Sequence, residues 1–341
     1  MKRSPTMKDL ALAAGVSVMT VSRAFKQDAS VGEKTRKRIK ETAEALGYVF
    51  DSTAANLRSQ RSHFVAVTIP SLNNANFAET VQSLTDGLAT AGFQVLLGHT
   101  NYDVNREEKL IAEFLRRRPE AIVVTGGRHT DAARKMLQTA GVPVIETWDL
   151  PVKAIGHVVG FSNAAAMELM VEHLTGEGYE RIAFIGGDTD GDTRGADRRR
   201  GFVVAMQSRG LDATRLIGAG QPPISMREGA DAMARLLDAN DDTQAVICVS
   251  DLSAFGALTE CQRRGVPVPG QIAIAGFGAY DIAGISVPTI TTIDPKASEI
   301  GAKTAQMVLG LLETSELERP ASLHDQIVPL LKVGQSSAKS A

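Results

Sequence analysis

At 341 residues the chain is too long for one ordinary core and fits a small domain joined to a two-lobed one. Its 43% hydrophobic and 22% charged residues exclude wholesale disorder. No apolar run approaches the roughly 20 residues that would cross a bilayer. The net charge of −2 hides an asymmetry: residues 1–61 carry twelve Lys and Arg against six Asp and Glu, and the remainder carries 25 against 33. A basic head on an acidic body directs the head toward a polyanion. The start, Met1-Lys2-Arg3-Ser4-Pro5, has no hydrophobic run of a signal peptide behind it, so the cytoplasm is the expected compartment. Cys248 and Cys261 lie in no Cys-x-x-Cys or Cys/His cluster. They read as small buried hydrophobes, and no metal or other cofactor is expected.

The head predicts three helices. Thr6 caps the first, with Asp9 at its third position near the positive end of the dipole. Leu10, Ala11 and Ala14 form its apolar stripe, and Gly15 ends it. Ser17 caps a second helix from Val18 to about Phe25, with Val21, Ala24 and Phe25 inward. A third runs from about Glu33 to Leu46, with Ile39, Ala43 and Leu46 at helical spacing and Gly47 behind it. Two short helices joined by a Gly-containing turn and followed by a third make a helix-turn-helix unit. In such units the second helix enters the DNA major groove with its N-terminal residues toward the bases. The candidate DNA contacts are therefore Ser17, Val18, Met19, Thr20, Ser22 and Arg23. The hydroxyls of Ser17 and Thr20 suit phosphates or base edges. Val18 and Met19 are apolar on the face opposite the core, where thymine methyls would meet them. Arg23 can read guanine through two parallel hydrogen bonds, worth about 1–3 kcal/mol of discrimination, or contact phosphate.

Five blocks in this order carry a resemblance. Met7-Lys8-Asp9-Leu10-Ala11, Ala14-Gly15-Val16-Ser17, Thr20-Val21-Ser22-Arg23, Thr35-Arg36 and Ala45-Leu46-Gly47-Tyr48 are similar to the head of lac-repressor family regulators. The resemblance implies a hinge helix that orders on operator DNA, matched by Ala54-Ala55-Asn56-Leu57-Arg58. It implies Leu57 as a wedge in the minor groove, Ala54 against the same groove and Arg58 near phosphate. The family usually places Pro-Asn or Pro-Ser where this chain has Phe50-Asp51, which leaves the hinge less pre-ordered. The expected division is residues 1–50 as DNA-binding domain, 51–61 as hinge and 62–341 as effector-binding and dimerisation domain.

From Phe64 onward short β-branched runs alternate with amphipathic segments. Candidate strands are Phe64–Ile69, Gln94–Leu97, Ala121–Thr125, Val144–Glu146, His157–Val159, Arg181–Ile185, Ala245–Val249 and Ile272–Gly276. Candidate helices are Ala75–Ala91, Asn105–Arg117, Asp131–Ala140, Ala164–Glu177, Arg198–Arg209, Arg227–Asp238, Leu252–Arg264 and Ala297–Leu312. Such alternation implies parallel sheets covered on both faces. Phe64–Pro70 with the segment behind it is echoed by Arg181–Gly186 with Asp188–Arg198, which suggests two similar lobes. The expected fold is a small all-α helix-turn-helix head followed by a two-lobed α/β body with parallel sheets, similar to periplasmic binding proteins.

The family resemblance extends through Gly141-Val142-Pro143-Val144, Arg200-Gly201-Phe202, Ser250-Asp251, Gly265-Val266-Pro267-Val268-Pro269 and Ile290-Thr291-Thr292-Ile293. It implies one lobe of about 62–160 plus 292–323 and another of 161–291 plus 324–335. Within the family the chain resembles gluconate-utilisation repressors, on Pro70-Ser71-Leu72, Asn74, Phe77-Ala78-Glu79, His99, Arg128, Thr130, Cys261-Gln262-Arg263 and Ala273-Ile274-Ala275-Gly276-Phe277. Ligands of open parallel sheets bind beyond the strands' carboxyl ends, and two facing lobes would close on one. The effector candidates at such ends are Ser71, Asn74, Phe77, Arg128, Glu146, Trp148, Ser250 and Asp251. Arg198 matches the arginine that family members use against the ligand, so the resemblance implies a ligand contact there. A sugar acid would want an arginine fork on its carboxylate, from Arg198 or Arg128. Asn74 and Asp251 would serve its hydroxyls, and Phe77 or Trp148 its apolar face. Many sugar-binding members carry an Asp where this chain has Gly278, with Asp281 the nearest carboxylate; the loss suits an anionic ligand.

There is no His-Glu-x-x-His, no phosphate-binding Gly-x4-Gly-Lys-Ser/Thr and no dinucleotide fingerprint, so an enzyme is not expected. The rival is a sugar-binding protein without DNA activity, which the body alone would allow and the head opposes. The expected partners are a pseudo-palindromic double-stranded operator, a gluconate-like effector and a second copy of the chain, with no membrane. The tail from Gly334 to Ala341 is small and polar, without leucine heptads, and is expected to be disordered.

Overall fold

The computed structural model describes residues 3–25, 30–50, 61–187, 192–239 and 242–338. The chain divides into two compact units, Met1–Ser62 and His63–Ala341. The hinge candidates Ala54, Leu57 and Arg58 lie outside the described residues.

Among the described residues the head holds three helices: α1 (Met7–Ala13), α2 (Val18–Phe25) and α3 (Glu33–Leu46). Thr6 and Asp9 close a capping box at the start of α1, which satisfies two otherwise orphaned N–H groups. Gly15 and Gly47 end α1 and α3 at φ of +63° and +64°, which glycine adopts without Cβ strain. Leu10, Val21, Ala24, Val31, Ile39 and Ala43 form the core. Leu46, expected inward, is 40% exposed, because Tyr48 and Phe25 close that side of the cluster instead.

The described residues of the body form two parallel sheets. The first runs in the order β11-β5-β4-β3-β1-β2, with β1 Phe64–Ile69, β2 Gln94–His99, β3 Ala121–Thr125, β4 Val144–Thr147, β5 His157–Gly160 and β11 His324–Gln326. The second runs β7-β6-β8-β9, with β6 Ile182–Gly186, β7 Leu216–Gly218, β8 Ala245–Cys248 and β9 Ala273–Ala275. A separate antiparallel pair joins β10 (Thr292–Asp294) to β12 (Leu330–Lys332). The helices are α4 (Ala75–Ala89), α5 (Val104–Arg116), α6 (Asp131–Gln138), α7 (Asn163–Gly176), α8 (Thr193–Ser208), α9 (Met226–Ala239), α10 (Asp251–Arg264), α11 (Asp281–Ile285) and α12 (Ala297–Glu313). Their apolar stripes cover the sheets, whose central strands are buried but for the half-buried ends Phe64 and Thr125.

Several expectations change. The first lobe keeps residues 324–326, because β11 pairs with β5 through Asp325 and Val159; the last crossover follows this strand instead of preceding it. Strands β7, β10, β11 and β12 and helix α11 escaped the pattern reading because three to five residues hold too few hydrophobic repeats to register. Helix α8 begins at Thr193, five residues before the expected Arg198. Its first turns bury Arg194 and Gly195, where apolar periodicity has nothing to register. The tail is also ordered through Ala338. The Ser336 hydroxyl accepts from the Thr291 N–H at 2.9 Å, and Ser337 lies 2.8 Å from His173 Nε2. Both serines are fully buried, so small hydroxyls here fill polar niches in the body.

Candidate functional site

In the head, α2 turns its N-terminal residues outward. The Ser17 hydroxyl accepts from the Thr20 N–H at 3.1 Å and lies 2.8 Å from the Thr20 hydroxyl. Val18 and Met19 are 41% and 63% exposed, while Val21 and Ala24 pack inward. Ser22 is half-buried and Arg23 is exposed. A further basic residue acts inside the unit: the Arg36 guanidinium donates to the carbonyls of Ala24 at 2.7 Å and Val31 at 3.1 Å. It thereby ties the end of α2 to α3. The sequence marked Arg36 as a landmark without this role.

In the body a cavity of about 230 Å³ lies between the two lobes. The first lobe contributes Ser71, Asn74 and Phe77 from behind β1, Tyr102 from behind β2 and Trp148 from behind β4. The second contributes Arg194 and Arg198 from α8, Ser250 from behind β8, and Phe277 and Tyr280 from behind β9. Of the nine candidates, Ser71, Asn74, Phe77, Trp148, Arg198 and Ser250 thus meet at one cavity.

Arg198 is held on three sides. Its Nε donates to Asn163 Oδ1 at 3.0 Å, its Nη1 donates to the Val249 carbonyl at 2.8 Å, and its Cζ sits 3.6 Å above the Phe277 ring centre. Burial lowers its pKa, yet a guanidinium remains charged. Asn163 in turn donates to Asp149 Oδ1 at 2.9 Å. Asp149 lies 4.0 Å from the buried Arg194, whose guanidinium stands 5.5 Å over Phe77. Burial pushes the Asp149 carboxyl up to about 6 against the pull of Arg194. A polar chain therefore runs from the end of β4 in one lobe to the arginine of the other.

Trp148 is 2% exposed and adopts φ of +72°, which is uncommon for so bulky a residue. It packs edge-on against Phe77 and Phe161. Its indole Nε1–H is buried without a hydrogen-bond partner among the described residues. A cavity wall that holds an unpaired donor is prepared for an acceptor on a ligand.

Three candidates lie elsewhere. Asp251 is fully buried behind the cavity, where its carboxylate accepts from the Thr292 hydroxyl at 2.6 Å and the Tyr280 N–H at 2.8 Å. Burial raises it to about 6, opposed by those two bonds. Arg128 is exposed and borders two outer hollows. Glu146 sits within β4 and accepts from the Ile155 N–H at 2.6 Å. The left-handed turn at Trp148 breaks the strand alternation that had grouped Trp148 with Glu146. Asp281 is exposed at the start of α11 and does not line the cavity. Tyr102, Arg194 and Tyr280 were not singled out from the sequence. Tyr102 reaches the cavity through a φ of +59°, in a turn flanked by Asn101 and Asp103.

A chain 36% identical over 93% of this one and 92% of its own length is the HTH-type transcriptional regulator GntR of Pseudomonas aeruginosa. The model of bacterial regulatory proteins of the lacI family matches residues 6–51, and that of the periplasmic binding protein-like domain matches 171–337. The chain belongs to the LacI family of DNA-binding transcriptional regulators. Its fold matches a solved LacI-family regulator from Silicibacter pomeroyi with a TM-score of 0.89 at 31% identity, over 98% of this chain and 100% of that one. It also matches the lac repressor dimer bound to operator and the anti-inducer ONPF, at 0.84 and 20% identity over 99% and 100%, a likeness of fold. The reading as a sugar-binding protein without DNA activity is thereby set aside. Among the described residues no helix is long and apolar enough to cross a membrane. Cys248 and Cys261 are buried free thiols, and burial pushes Cys261 up to about 12.

Beside the regulator's cavity, Glu146 belongs to a buried acid–base group. His129 Nδ1 lies 2.7 Å from Glu107 Oε2, and its Nε2 lies 3.5 Å from Glu146 Oε1. The longer approach leaves both atoms without a well-formed hydrogen bond among the described residues, so Glu107 is the main partner. Burial alone would lower the imidazole pKa, but the two carboxylates outweigh it and raise it to about 9. The stabilisation is fully present below the free value of 6.5 and is lost as pH rises toward 9. It amounts to roughly 3 kcal/mol at most. Thermal melting of the native regulator should decline across this window, and His129→Gln should flatten the decline. An equal decline in both would assign it to other groups.

Proposed function

We propose that this regulator represses genes of sugar-acid catabolism and that a gluconate-like acid releases it from its operator. The observation that carries the reading is Arg198, a buried guanidinium fixed by Asn163, Val249 and Phe277 at the wall of a cavity that Arg194 also lines. A ligand carboxylate would match its fork and its charge. Ser71, Asn74 and Ser250 supply polar groups, and Phe77 and Trp148 supply an apolar face. The resemblance of this cavity's residues to gluconate-utilisation repressors supports the same ligand class.

On the DNA side, Ser17, Val18, Met19, Thr20, Ser22 and Arg23 read the major groove, Leu57 and Ala54 engage the minor groove, and Arg58 lies near phosphate. The regulator acts in the cytoplasm as a homodimer on a pseudo-palindromic site. The exposed apolar pair Ile285 and Val287, 77% and 80% accessible, suits burial against a second copy. Ligand binding shifts the angle between the lobes only so far as it favours one closure state over the other.

The test joins two measurements. Thermal melting is followed with gluconate, other sugar acids, neutral sugars and purines. A ligand at 100 times its Kd adds about 2.7 kcal/mol. Duplexes selected from a random pool are then titrated with the native protein and with Arg23→Ala. A stabilising shift with a sugar acid, with loss of selected duplex in its presence, is expected. Arg23→Ala should weaken duplex binding about 10- to 100-fold and keep the ligand shift. A shift confined to neutral sugars or purines would overturn the sugar-acid reading, and undiminished duplex binding would remove Arg23 from the base contacts.

A further inference from the structure

We propose that Tyr102 and Tyr280 set ligand specificity, as neutral phenol donors that make the cavity choose a polyhydroxy acid over the matching neutral polyol. The proposal rests on the sugar-acid reading and deepens it.

The geometry begins at Asn74. Its side-chain oxygen caps α4, accepting from the N–H groups of Asn76 at 3.1 Å and Phe77 at 3.4 Å. The amide NH2 is left for other partners, and Asn74 lines the cavity together with Tyr102 and Tyr280. A phenol hydroxyl can donate its proton to an oxygen that faces it. Both rings line the cavity, so a ligand oxygen is the acceptor within reach.

Tyr280 is fixed from behind. Asp251 accepts its backbone N–H at 2.8 Å and also takes the Thr292 hydroxyl, all outside the cavity. Asp251 is thus a positioning residue that aims Tyr280. The Tyr280 ring also covers Gly278. A Cβ at Gly278 would stand 2.7 Å from Tyr280 Cε1 and 3.1 Å from Asn76 Nδ2, at a φ of +128° that L residues rarely adopt. The ring therefore occupies the space in which a side chain at 278 could have reached the ligand.

The charge balance follows. Among the described residues the cavity lining holds two guanidiniums, Arg194 and Arg198, against one carboxylate, Asp192. Burial holds both phenols above their usual range, so they remain neutral donors near pH 7. A lining with surplus positive charge and uncharged donors favours an anion. A carboxylate in place of Tyr280 would cancel that surplus.

The test compares gluconate with glucitol, which differ by a carboxylate against a hydroxymethyl group. Kd for each is measured by calorimetry on the native protein, Tyr280→Phe and Tyr102→Phe. Phenylalanine keeps the ring over Gly278, and melting without ligand reports that the fold is retained. The native protein should prefer gluconate by at least about 10-fold, and each variant should lose about 10-fold in gluconate affinity. The variants should lose less toward glucitol, which offers the phenols no charged acceptor. Variants within twofold of the native protein, in a protein that does bind gluconate, would overturn this proposal and leave the sugar-acid reading standing. A native protein that binds no sugar acid would overturn that reading and this proposal with it.

Discussion

Arg198→Ala is expected to weaken sugar-acid binding by about 100-fold or more and to leave the regulator on its operator at ligand levels that release the native protein. Hydrogen bonds from a charged donor contribute about 1.5–3 kcal/mol each, and a two-pronged contact with a carboxylate loses both. Arg198→Lys should fare little better. An ammonium keeps the charge, but it cannot hold Asn163 and the Val249 carbonyl while presenting a planar fork. The substitution also leaves a carbonyl and an amide oxygen without their donor, so melting without ligand must be recorded beside the calorimetric Kd. Near-native sugar-acid affinity in Arg198→Ala would remove this residue from the site. Loss of affinity with an intact melting transition would assign the effect to the ligand contact itself.

Gly256→Ala should destabilise the body by about 1–3 kcal/mol or more, against the local preference. In an exposed helix interior the same change stabilises by about 1 kcal/mol. Here α9 and α10 cross so closely that a Cβ at Gly256 would collide with the Met226 carbonyl and stand 2.9 Å from the Ala230 nitrogen. Gly229 meets the backbone of Ser253 from the other side. These obstacles are backbone, which cannot swing aside, so the helices must separate and lose their packing. Gly310, in α12, has nothing within 4 Å of its would-be Cβ. Gly310→Ala should therefore stabilise by about 0.5–1 kcal/mol. Denaturant melts of the two variants would differ in sign. Two shifts of the same sign would discard the close-approach explanation.

Much of the site was legible because it rests on local rules. Asn74 and Ser250 cap helices at strand ends, where short polar side chains satisfy orphaned N–H groups. Such positions border the cleft of facing parallel sheets, so both were found. Glu146 and Asp251 were grouped with them by the same proximity, but a residue near a strand end can turn inward as readily as outward. Glu146 meets His129, and Asp251 supports Tyr280 from behind. Tyr102 and Trp148 reach the cavity through positive φ values, which no residue type at those positions announces. Arg194 was hidden in a helical turn that is polar and yet buried.

The sequence alone determined the three head helices, the outward apolar residues Val18 and Met19, and the alternation that builds two parallel sheets. Those features follow from caps, glycine stops and hydrophobic period, all of which act within a few residues. Tertiary structure decided the rest: that residues 324–326 complete the first sheet, that Ser336 and Ser337 are buried, and that Tyr102 and Tyr280 line one cavity with Asn74. Each of these joins segments far apart in the chain. Short strands and single polar side chains have no periodicity of their own, so their partners exist only once the lobes have folded.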